Sequence, residues 1–369
     1  MWRKFFPVVA FVSSLFLPQA SGVEVAANGG GNHPAVSICI PVYDTERYVA
    51  AALDSALNQT LKNIEIICVD DGSTDGSLAI LKSYEAKYPQ IISVLENGEN
   101  RGLIYSRLKA ILAAKGEYIL WLDSDDRMFP ETAKLTYAAA TAHDVDVVVF
   151  SAIFSNGTNL GPWPPKPKKS RAVSACTTSP LAMLASGKIP AQVWNKLWKT
   201  ELLVKMAQKV MPFAAANNIT QNEDNFFCWM VLRDAKKCVN LDYDGLQYFC
   251  NTGLAAKKRH DKDYARRWVD CVTKYSKFVL ENEDDPQIRN VYANWHLTGS
   301  GRLIDTFKSL PTEEGVRAFT AYVNVYPKEL QGIVCSTMKR HGGSAYTKAF
   351  ETGNSREASR SHRTSARGR

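Results

Sequence analysis

Residues 64–75 read Ile-Glu-Ile-Ile-Cys-Val-Asp-Asp-Gly-Ser-Thr-Asp, a stretch that combines the signals of a strand, a turn and the start of a helix. Its first half is a short apolar run rich in β-branched residues, which is typical of a strand buried on both faces of a sheet. Two carboxylates follow directly, and then Gly72, Ser73 and Asp75 form a turn and a helix cap. A strand that feeds such a helix predicts a parallel sheet, whose ligands bind at the carboxyl ends of the strands.

The same pattern repeats through residues 36–150. The strand-like apolar runs are Val36 to Val42, Ile64 to Val69, Ile91 to Leu95, Tyr118 to Leu122 and Val145 to Phe150. Between them lie amphipathic segments with apolar residues three or four positions apart and with capping residues at their ends. The alternation predicts an α/β fold of the Rossmann-like, nucleotide-binding type, with a mixed, mainly parallel sheet flanked by helices.

Composition and charge exclude some classes of protein. Of the 369 residues, 45% are hydrophobic and 22% are charged, as in a folded globular protein. Arg3 and Lys4 supply two of the eight net positive charges, and the segment 336–369 supplies six. The residues between them carry no net charge, so the body of the protein lacks the basic field of a nucleic-acid-binding surface. We expect no nucleic-acid partner.

The first 22 residues are typical of a targeting signal and not of a folded element. Arg3 and Lys4 precede an apolar run from Phe5 to Leu17, which ends at Pro18 and small residues. The run is shorter than the ~20 residues of a membrane helix and matches a secretory signal peptide, with an uncleaved anchor as the alternative. We expect the protein in the lumen of the secretory pathway, in the ER or Golgi, with membrane attachment if this segment is retained.

Eight cysteines in a chain of this length are too few for a disulfide scaffold, and no Cys-x-x-Cys pair indicates zinc. Cys39 and Cys68 fall inside predicted strands, where a free thiol behaves as a small hydrophobe. The other six could supply one or two bridges in an oxidising lumen, and the sequence does not give their pairing. Sequons at Asn58, Asn156 and Asn218 are compatible with such a compartment.

Polar side chains follow three of the predicted strands. Tyr43 follows the first strand and Asp71 the second, so an aromatic and an acidic group can stack a base and accept its N–H donors. Asp123, Asp125 and Asp126 follow the fourth strand. Carboxylates in this pattern suit Mg²⁺ or Mn²⁺ bridging to phosphate oxygens, and the alternative is a solvated acidic turn. Neither a P-loop nor a Gly-x-Gly-x-x-Gly motif after a strand is present, which leaves a phosphate held by a metal.

These strings resemble the donor half of a family 2 glycosyltransferase of the GT-A fold. The matching stretches, in the family's order, are Val36 to Tyr43, Glu65 to Asp75, Asn100 to Arg107 and Gly116 to Asp126. The resemblance implies that Pro41, Tyr43 and Asp71 line the nucleotide base. It also implies that Asp123 and Asp125 form an Asp-x-Asp motif at the ribose, the diphosphate and a metal cofactor, Mn²⁺ or Mg²⁺.

Residues 180–250 resemble the acceptor half of the same family, through Val193 to Trp198 and Gln221 to Phe227. In the family a Glu-Asp pair before an apolar helix supplies the catalytic base. This implies that Asp224 takes the proton of the acceptor hydroxyl and that Glu223 orients it. Without the donor motifs, the pair would indicate only an ordinary helix N-terminus, which favours acidic groups. The chain departs from the family's pattern at Asp44 and Asn222, where Asn and Gly respectively are common.

Three basic side chains are further candidates. Arg107 and Lys196 could pair with the donor phosphates, although a cation on a loop or helix is more often simply solvated. His260 follows the last strand-like segment, where some GT-A enzymes have a third metal or diphosphate ligand, and a lone histidine there is more often a surface residue.

The sequence therefore predicts an inverting, metal-dependent glycosyltransferase that moves a sugar from a nucleotide-diphosphate sugar, most often a UDP-sugar, to a glycan or glycoconjugate acceptor. A non-catalytic GT-A-like scaffold that binds nucleotide or glycan is the alternative, and a metal-dependent hydrolase of nucleotide sugars is a third interpretation. The predicted organisation is a signal peptide or anchor at 1–22, a GT-A domain at 35–250 with halves at 35–150 and 180–250, a mostly helical region at 251–340 and a disordered basic tail at 341–369.

Overall fold

A computed structural model describes residues 33–155, 172–250, 263–298, 306–307, 309–340 and 342–352. The predicted leader, His260 and residues 353–369 lie outside the described residues. The strands are β1 (Val36–Val42), β2 (Ile64–Asp70), β3 (Ile92–Glu96), β4 (Tyr118–Trp121), β5 (Arg127–Met128), β6 (Val147–Ser155), β7 (Val173–Ala175), β8 (Lys196–Lys199) and β9 (Cys238–Phe249). The helices are α1 (Val49–Leu57), α2 (Ser77–Lys87), α3 (Leu103–Ala113), α4 (Thr132–His143), α5 (Pro180–Ala185), α6 (Thr200–Ala216), α7 (Glu223–Leu232), α8 (Tyr264–Glu281), α9 (Pro286–Thr298), α10 (Thr312–Asn324), α11 (Lys328–Arg340) and α12 (residues 344–352).

The strands of the described residues form one mixed sheet. Their order is β3-β2-β1-β4-β8-β6-β9-β5, and β7 pairs with β9. β1 runs parallel to β2 and to β4, and β2 runs parallel to β3. β8 is antiparallel to both of its neighbours. All seven residues of β1 are buried, which explains why its sequence is a continuous apolar run without alternation. The α/β prediction is confirmed.

The order of the strands creates a crevice at the carboxyl ends of β1 and β4. From β1 the chain winds outward to β2 and β3, and it then returns to the opposite side of β1 to form β4. Ligands of open α/β sheets bind where the strand order reverses in this way. Tyr43 directly follows β1, and Asp123 closely follows β4. The fold therefore directs both predicted site segments to one crevice.

The turn after β2 lies close to the loop that leads into α3. Gly72 has a φ of +71°, and a Cβ at this position would lie 2.5 Å from the backbone carbonyl carbon of Glu99. Glycine alone accepts both the left-handed backbone and the close approach. Asp71, the residue before it, is thereby held against this loop.

Helices α8 to α11 confirm the predicted helical extension, and α8 and α9 pack on α7. Phe226 of α7 stacks on Tyr275 of α8 with ring centroids 5.3 Å apart. Trp229 of α7 stacks on Trp295 of α9 at 5.1 Å. Such aromatic pairs add about 0.5–1.5 kcal/mol each to the free energy of burying their area. The C-terminal helices and the α/β domain therefore share one core.

The prediction of a disordered tail is wrong for its first part. Residues 344–352 form helix α12, in which Phe350 is buried. Tyr346 and Phe350 lie one helical turn apart, and both rings contact Phe319 of α10. Two aromatic residues are too few to show a period in the sequence, but packing against α10 stabilises a helix that would be marginal alone.

The described residues contain one disulfide, between Cys176 after β7 and Cys238 at the start of β9. Cys39 and Cys68 are free and buried in β1 and β2, as expected of thiols within strands. Among the described residues, no helix is both long enough and apolar enough to cross a bilayer.

Candidate active site

The ends of β1 and β2 bring Tyr43 and Asp71 together. Burial and the carboxylates of Asp44 and Asp71 raise the pKa of the Tyr43 phenol, which shows that these charges lie near it. Asp44 has a φ of +49°, a left-handed conformation that Asp and Asn tolerate better than other side chains. Its Oδ1 accepts a hydrogen bond from Thr74 N (2.8 Å), which fastens the loop after β1 to the turn after β2. Pro41 lies buried within β1, two residues before Tyr43.

Asp71 organises the loop between β3 and α3. Its Oδ1 accepts hydrogen bonds from Asn97 Nδ2 (2.7 Å) and Arg101 N (2.9 Å), and its Oδ2 accepts one from Gly102 N (3.0 Å). Burial raises the pKa of Asp71, and these donors only partly offset the rise. Ser106 also hydrogen-bonds this carboxylate, so four protein donors match its about four acceptor positions. The contact of Asp71 with a nucleotide base stays a prediction.

The three carboxylates after β4 have different surroundings. Asp126 is 1% exposed and turns inward, where its Oδ1 accepts a hydrogen bond from Phe249 N (2.8 Å). Asp123 and Asp125 remain partly exposed at the rim of the sheet. Burial raises the pKa of Asp123 to about 7, and the Asp125 carboxylate contributes to the rise although Arg107 opposes it. Asp126 therefore supports the end of β9, whereas Asp123 and Asp125 lie at the accessible rim of the sheet.

Asp123 and Asp125 have the chemistry of a divalent metal site. No group of three or more His, Cys, Asp or Glu side chains within the described residues is arranged to hold a metal ion. Mg²⁺ is commonly bound by one or two carboxylates, with substrate phosphates and water as its other ligands. Burial is the main cause of the raised pKa of Asp123, and the carboxylates of Asp125, Asp224 and Glu223 add to it, so a bound cation would favour the ionised carboxylate. The pair therefore fits the Mg²⁺ or Mn²⁺ that the resemblance implies.

Arg107 joins the two acidic parts of the site. Its Nη1 lies 2.5 Å from Asp224 Oδ1, and its Nη2 lies 3.5 Å from Asp123 Oδ1. Burial acts to lower the pKa of Arg107, but the carboxylates of Asp224, Asp123 and Glu223 outweigh it and the pKa rises. The side chain is 1% exposed, so the predicted pairing of Arg107 with a donor phosphate is corrected. Arg107 instead holds Asp224 beside the Asp-x-Asp motif.

Glu223 and Asp224 form the first turn of α7, where the helix dipole favours their charge. The Asp224 side chain is 31% exposed, so its carboxylate faces the crevice while one oxygen pairs with Arg107. Glu223 is buried. Asn222 precedes them with a φ of +54°, a conformation that Gly and Asn adopt most readily. This backbone requirement explains why Asn is acceptable where the family often has Gly.

The predicted contact of Lys196 with a donor phosphate is wrong. Its Nζ is buried and donates hydrogen bonds to Pro190 O (2.7 Å), Gln192 O (2.5 Å) and Asn195 Oδ1 (2.8 Å). These three bonds use every donor of the ammonium group. Burial lowers the pKa of Lys196 to about 8. Lys196 therefore stabilises the loop before β8.

No sequence pattern predicted the aromatic cluster that lies beside the acidic rim formed by Asp123 and Asp125. Trp194 and Tyr248 stack with ring centroids 5.2 Å apart, and Phe154 contacts both rings while 64% exposed. Burial and the three carboxylates after β4 raise the pKa of Tyr248, so the cluster lies near them. The three residues are far apart in the sequence. The parallel pairing of β6 with β9 sets Phe154 opposite Tyr248, and Trp194 lies just before β8, the strand on the other side of β6.

Known proteins share this sequence pattern. The model described as glycosyl transferase family 2 matches residues 37–217. A poly(ribitol-phosphate) beta-glucosyltransferase of Bacillus spizizenii is 29% identical over 313 residues, which are 82% of this chain and 47% of that protein. The chain thus spans about half the length of that relative. A cholesterol galactosyltransferase of Borreliella burgdorferi is 32% identical over 290 residues, 71% of this chain and 77% of that protein.

Solved structures share the fold. The structure of S. aureus TarS 1–349 has a TM-score of 0.60 with this chain at 20% identity, over 87% of this chain and 91% of that one. TarS 1–349 is also known in complex with UDP and with UDP-GlcNAc. The likeness confirms the predicted GT-A fold. With the family match and a relative that is 32% identical over most of its length, it follows that the chain belongs to glycosyl transferase family 2.

Proposed function

We propose that this chain transfers a sugar from a nucleotide-diphosphate sugar to an acceptor hydroxyl with inversion at the anomeric carbon. One observation carries the proposal: the Arg107 guanidinium contacts both Asp224 Oδ1 (2.5 Å) and Asp123 Oδ1 (3.5 Å). The candidate base and the Asp-x-Asp motif therefore face one crevice. A single displacement needs a base on the side of the acceptor and charge stabilisation on the side of the leaving group.

In this reaction Asp224 accepts the proton of the acceptor hydroxyl as its oxygen attacks the anomeric carbon. A bond forms between that oxygen and the carbon, and the bond from the carbon to the diphosphate breaks. The nucleoside diphosphate leaves with the electron pair, on the face opposite the attack, so the configuration inverts. A divalent cation, when bound by Asp123 and Asp125, neutralises charge on the leaving diphosphate. Arg107 and Glu223 orient Asp224.

We favour a UDP-sugar as the donor. TarS, which has the same fold, binds UDP and UDP-GlcNAc. In this chain Asp71 holds the loop between β3 and α3 near the carboxyl end of β2, and the Tyr43 ring lies near its carboxylate. Pro41 lies buried in β1, two residues before Tyr43. These three residues are the proposed base contacts.

The proposed acceptor is a glycan or glycoconjugate. Support comes from the aromatic cluster of Phe154, Trp194 and Tyr248, which lies beside the acidic rim and leaves Phe154 64% exposed. Aromatic rings offer an apolar body on which a sugar ring can pack. Trp194→Ala is expected to raise the KM for the acceptor while the KM for the donor stays the same.

We also propose that the protein works in the lumen of the secretory pathway. The disulfide between Cys176 and Cys238 supports this, because such bonds persist in oxidising compartments. Retention of the N-terminal segment as a membrane anchor stays a prediction. Fractionation of cells with detection of the protein on non-reducing gels tests the compartment and the bond together.

The decisive experiment is a titration of the full chain with UDP-glucose, UDP-galactose, UDP-GlcNAc and GDP-mannose in Mn²⁺, with nucleotide release followed in the presence and absence of acceptor. We expect one donor to bind and turn over. Asp125→Ala should abolish metal-dependent binding, and Asp224→Asn should keep binding but lose turnover about 10²–10⁴-fold. Binding without turnover would indicate a scaffold, and acceptor-independent release would indicate a hydrolase.

A further inference from the structure

The loop before α7, residues 217–222, packs against α8. Asn222 Nδ2 donates a hydrogen bond to Tyr275 Oη (2.6 Å), and Cys271 Sγ lies 4.0 Å from Asn218 O. Cys271 and Tyr275 are four residues apart on α8, so both contacts come from one face of the helix. On the donor side of this loop, a Cβ at Gly102 would lie 2.6 Å from Asn218 Oδ1. The loop is therefore held between the donor half and the C-terminal helices.

A buried chain of polar groups continues from Tyr275 into those helices. Tyr275 Oη lies 2.8 Å from His296 Nε2, and His296 Nδ1 lies 2.8 Å from Tyr322 Oη. Tyr322 Oη in turn lies 2.5 Å from Tyr326 Oη. These side chains are all buried.

One arrangement satisfies each of these groups. In it, Tyr275 Oη accepts the Asn222 amide hydrogen and donates its own hydrogen to His296 Nε2. His296 then carries its hydrogen on Nδ1 and donates it to Tyr322, which donates to Tyr326. Burial lowers the pKa of His296 to about 3, so the imidazole stays neutral and keeps the single hydrogen that this arrangement needs. Satisfied buried networks of this kind rigidify their surroundings.

The Asn222 side chain links this network to the turn that carries Asp224. Its Oδ1 accepts a hydrogen bond from Asn225 Nδ2, within the first turn of α7. The charge of Glu223 influences both Arg107 and Tyr275, which places the turn between them. A shift of Asn222 would therefore move Glu223 and Asp224 together.

We propose that Tyr275 is a positioning residue for Asp224, and that the C-terminal helices, outside the matched residues 37–217, complete the active site. Its hydroxyl fixes Asn222 in the left-handed conformation and thereby the first turn of α7. This inference rests on the proposed function, in which Asp224 is the base.

Tyr275→Phe tests the proposal, with Tyr292→Phe as the matched control. Both changes remove a buried hydroxyl from the same helical layer, but the Tyr292 hydroxyl bonds to Ser276 Oγ (3.0 Å), within α8 and α9. Tyr275→Phe keeps the ring that stacks on Phe226. We expect kcat to fall about tenfold or more with an unchanged KM for the donor, because small errors in geometry are costly to the chemical step. Tyr292→Phe should keep kcat within about twofold of the wild type.

Asn222→Gly provides a second test of the proposal, since glycine adopts the same φ but lacks the side chain that contacts Tyr275. It should lower kcat at least as much as Tyr275→Phe, because it removes the same contact with Tyr275 and also the bond from Asn225. The double variant should lose little more than Asn222→Gly alone, because the contact with Tyr275 is already broken. Equal kcat for Tyr275→Phe and Tyr292→Phe, or full activity of Asn222→Gly, would overturn the proposal.

Hydrogen exchange separates the failure of this inference from the failure of the proposed function. The amides of residues 222–227 should exchange faster in Tyr275→Phe than in Tyr292→Phe. If the wild type turns over no nucleotide sugar, the proposed function fails, but this comparison still decides whether Tyr275 fixes the turn. Equal exchange in the two variants would refute the positioning role.

Discussion

Replacement of Arg107 by methionine tests whether one buried cation organises the site. Removing one partner of a buried ion pair costs about 3–5 kcal/mol of unfolding free energy. The side chains of Asp224 and Asp123, 2.5 Å and 3.5 Å from the guanidinium, keep 31% and 25% exposure. Water therefore compensates part of the loss, and we expect Arg107→Met to lower the unfolding free energy by about 2–3 kcal/mol.

The loss should also depend on pH. The pKa of Asp123 is about 7 in the presence of Arg107, whose charge lowers it, so Arg107→Met raises it further. Above this pKa the unpaired carboxylates of Asp123 and Asp224 repel each other. Below it Asp123 binds a proton in the folded state and the repulsion disappears. The destabilisation should be largest at about pH 8 and smaller at about pH 5.5.

Urea unfolding at both pH values measures the effect, with two control variants. Arg101→Met removes an exposed ion pair with Glu99 (3.4 Å) and should cost less than about 1 kcal/mol. Arg107→Lys keeps the charge, but a single ammonium group cannot bridge two carboxylates as a guanidinium does, so the rescue should be partial. If Arg107→Met were as stable as Arg101→Met at pH 8, or equally destabilised at both pH values, the bridging role would be refuted.

Three further results are expected. The pKa of Lys196 is about 8 in the folded chain and about 10.4 in the unfolded chain, so between these values the unfolded chain binds more protons and stability should rise with pH. Lys196→Met should abolish this rise in urea unfolding at several pH values. An unchanged slope of stability against pH would contradict the burial of the Lys196 charge. Cys176→Ser removes the disulfide to Cys238, 62 positions along the chain, and should lower the unfolding free energy by about 3–4 kcal/mol. An unchanged free energy of unfolding would show that the bond does not form. Phe350→Ala should accelerate hydrogen exchange in residues 344–352 and leave the α/β domain intact, and slow exchange would argue against the packing of α12 on Phe319.

Much of the fold could be predicted because its signals are local. β1 and β2 are continuous apolar runs bounded by turn residues, and the Asp75 side chain accepts the Ser77 amide in a turn directly before α2, whose N-cap is Gly76. α12 could not be predicted in this way. Its stability comes from contacts with α10, which no period in its own sequence reveals.

The site residues also divide into those with a local sequence signal and those that depend on long-range contacts. The carboxylates Asp123, Asp125 and Asp224 follow a strand or open a helix, so their local context already indicates an exposed edge. The aromatic cluster and the Asn222–Tyr275 contact join segments that are distant in the chain. The pairing of β6 with β8 and β9 creates the first, and the packing of α8 on α7 creates the second.

Local sequence patterns predict the parallel half of the sheet, the crevice at its edge and the acidic residues beside it, because each depends on neighbours within a few positions. The roles of the two cations emerge only in the folded chain. Arg107 and Lys196 are both basic residues in the sequence, but Arg107 pairs with Asp224, 117 positions away, whereas Lys196 donates to three oxygens of the loop directly before it. The role of a charge depends on its burial and its partners, and both are properties of the folded chain.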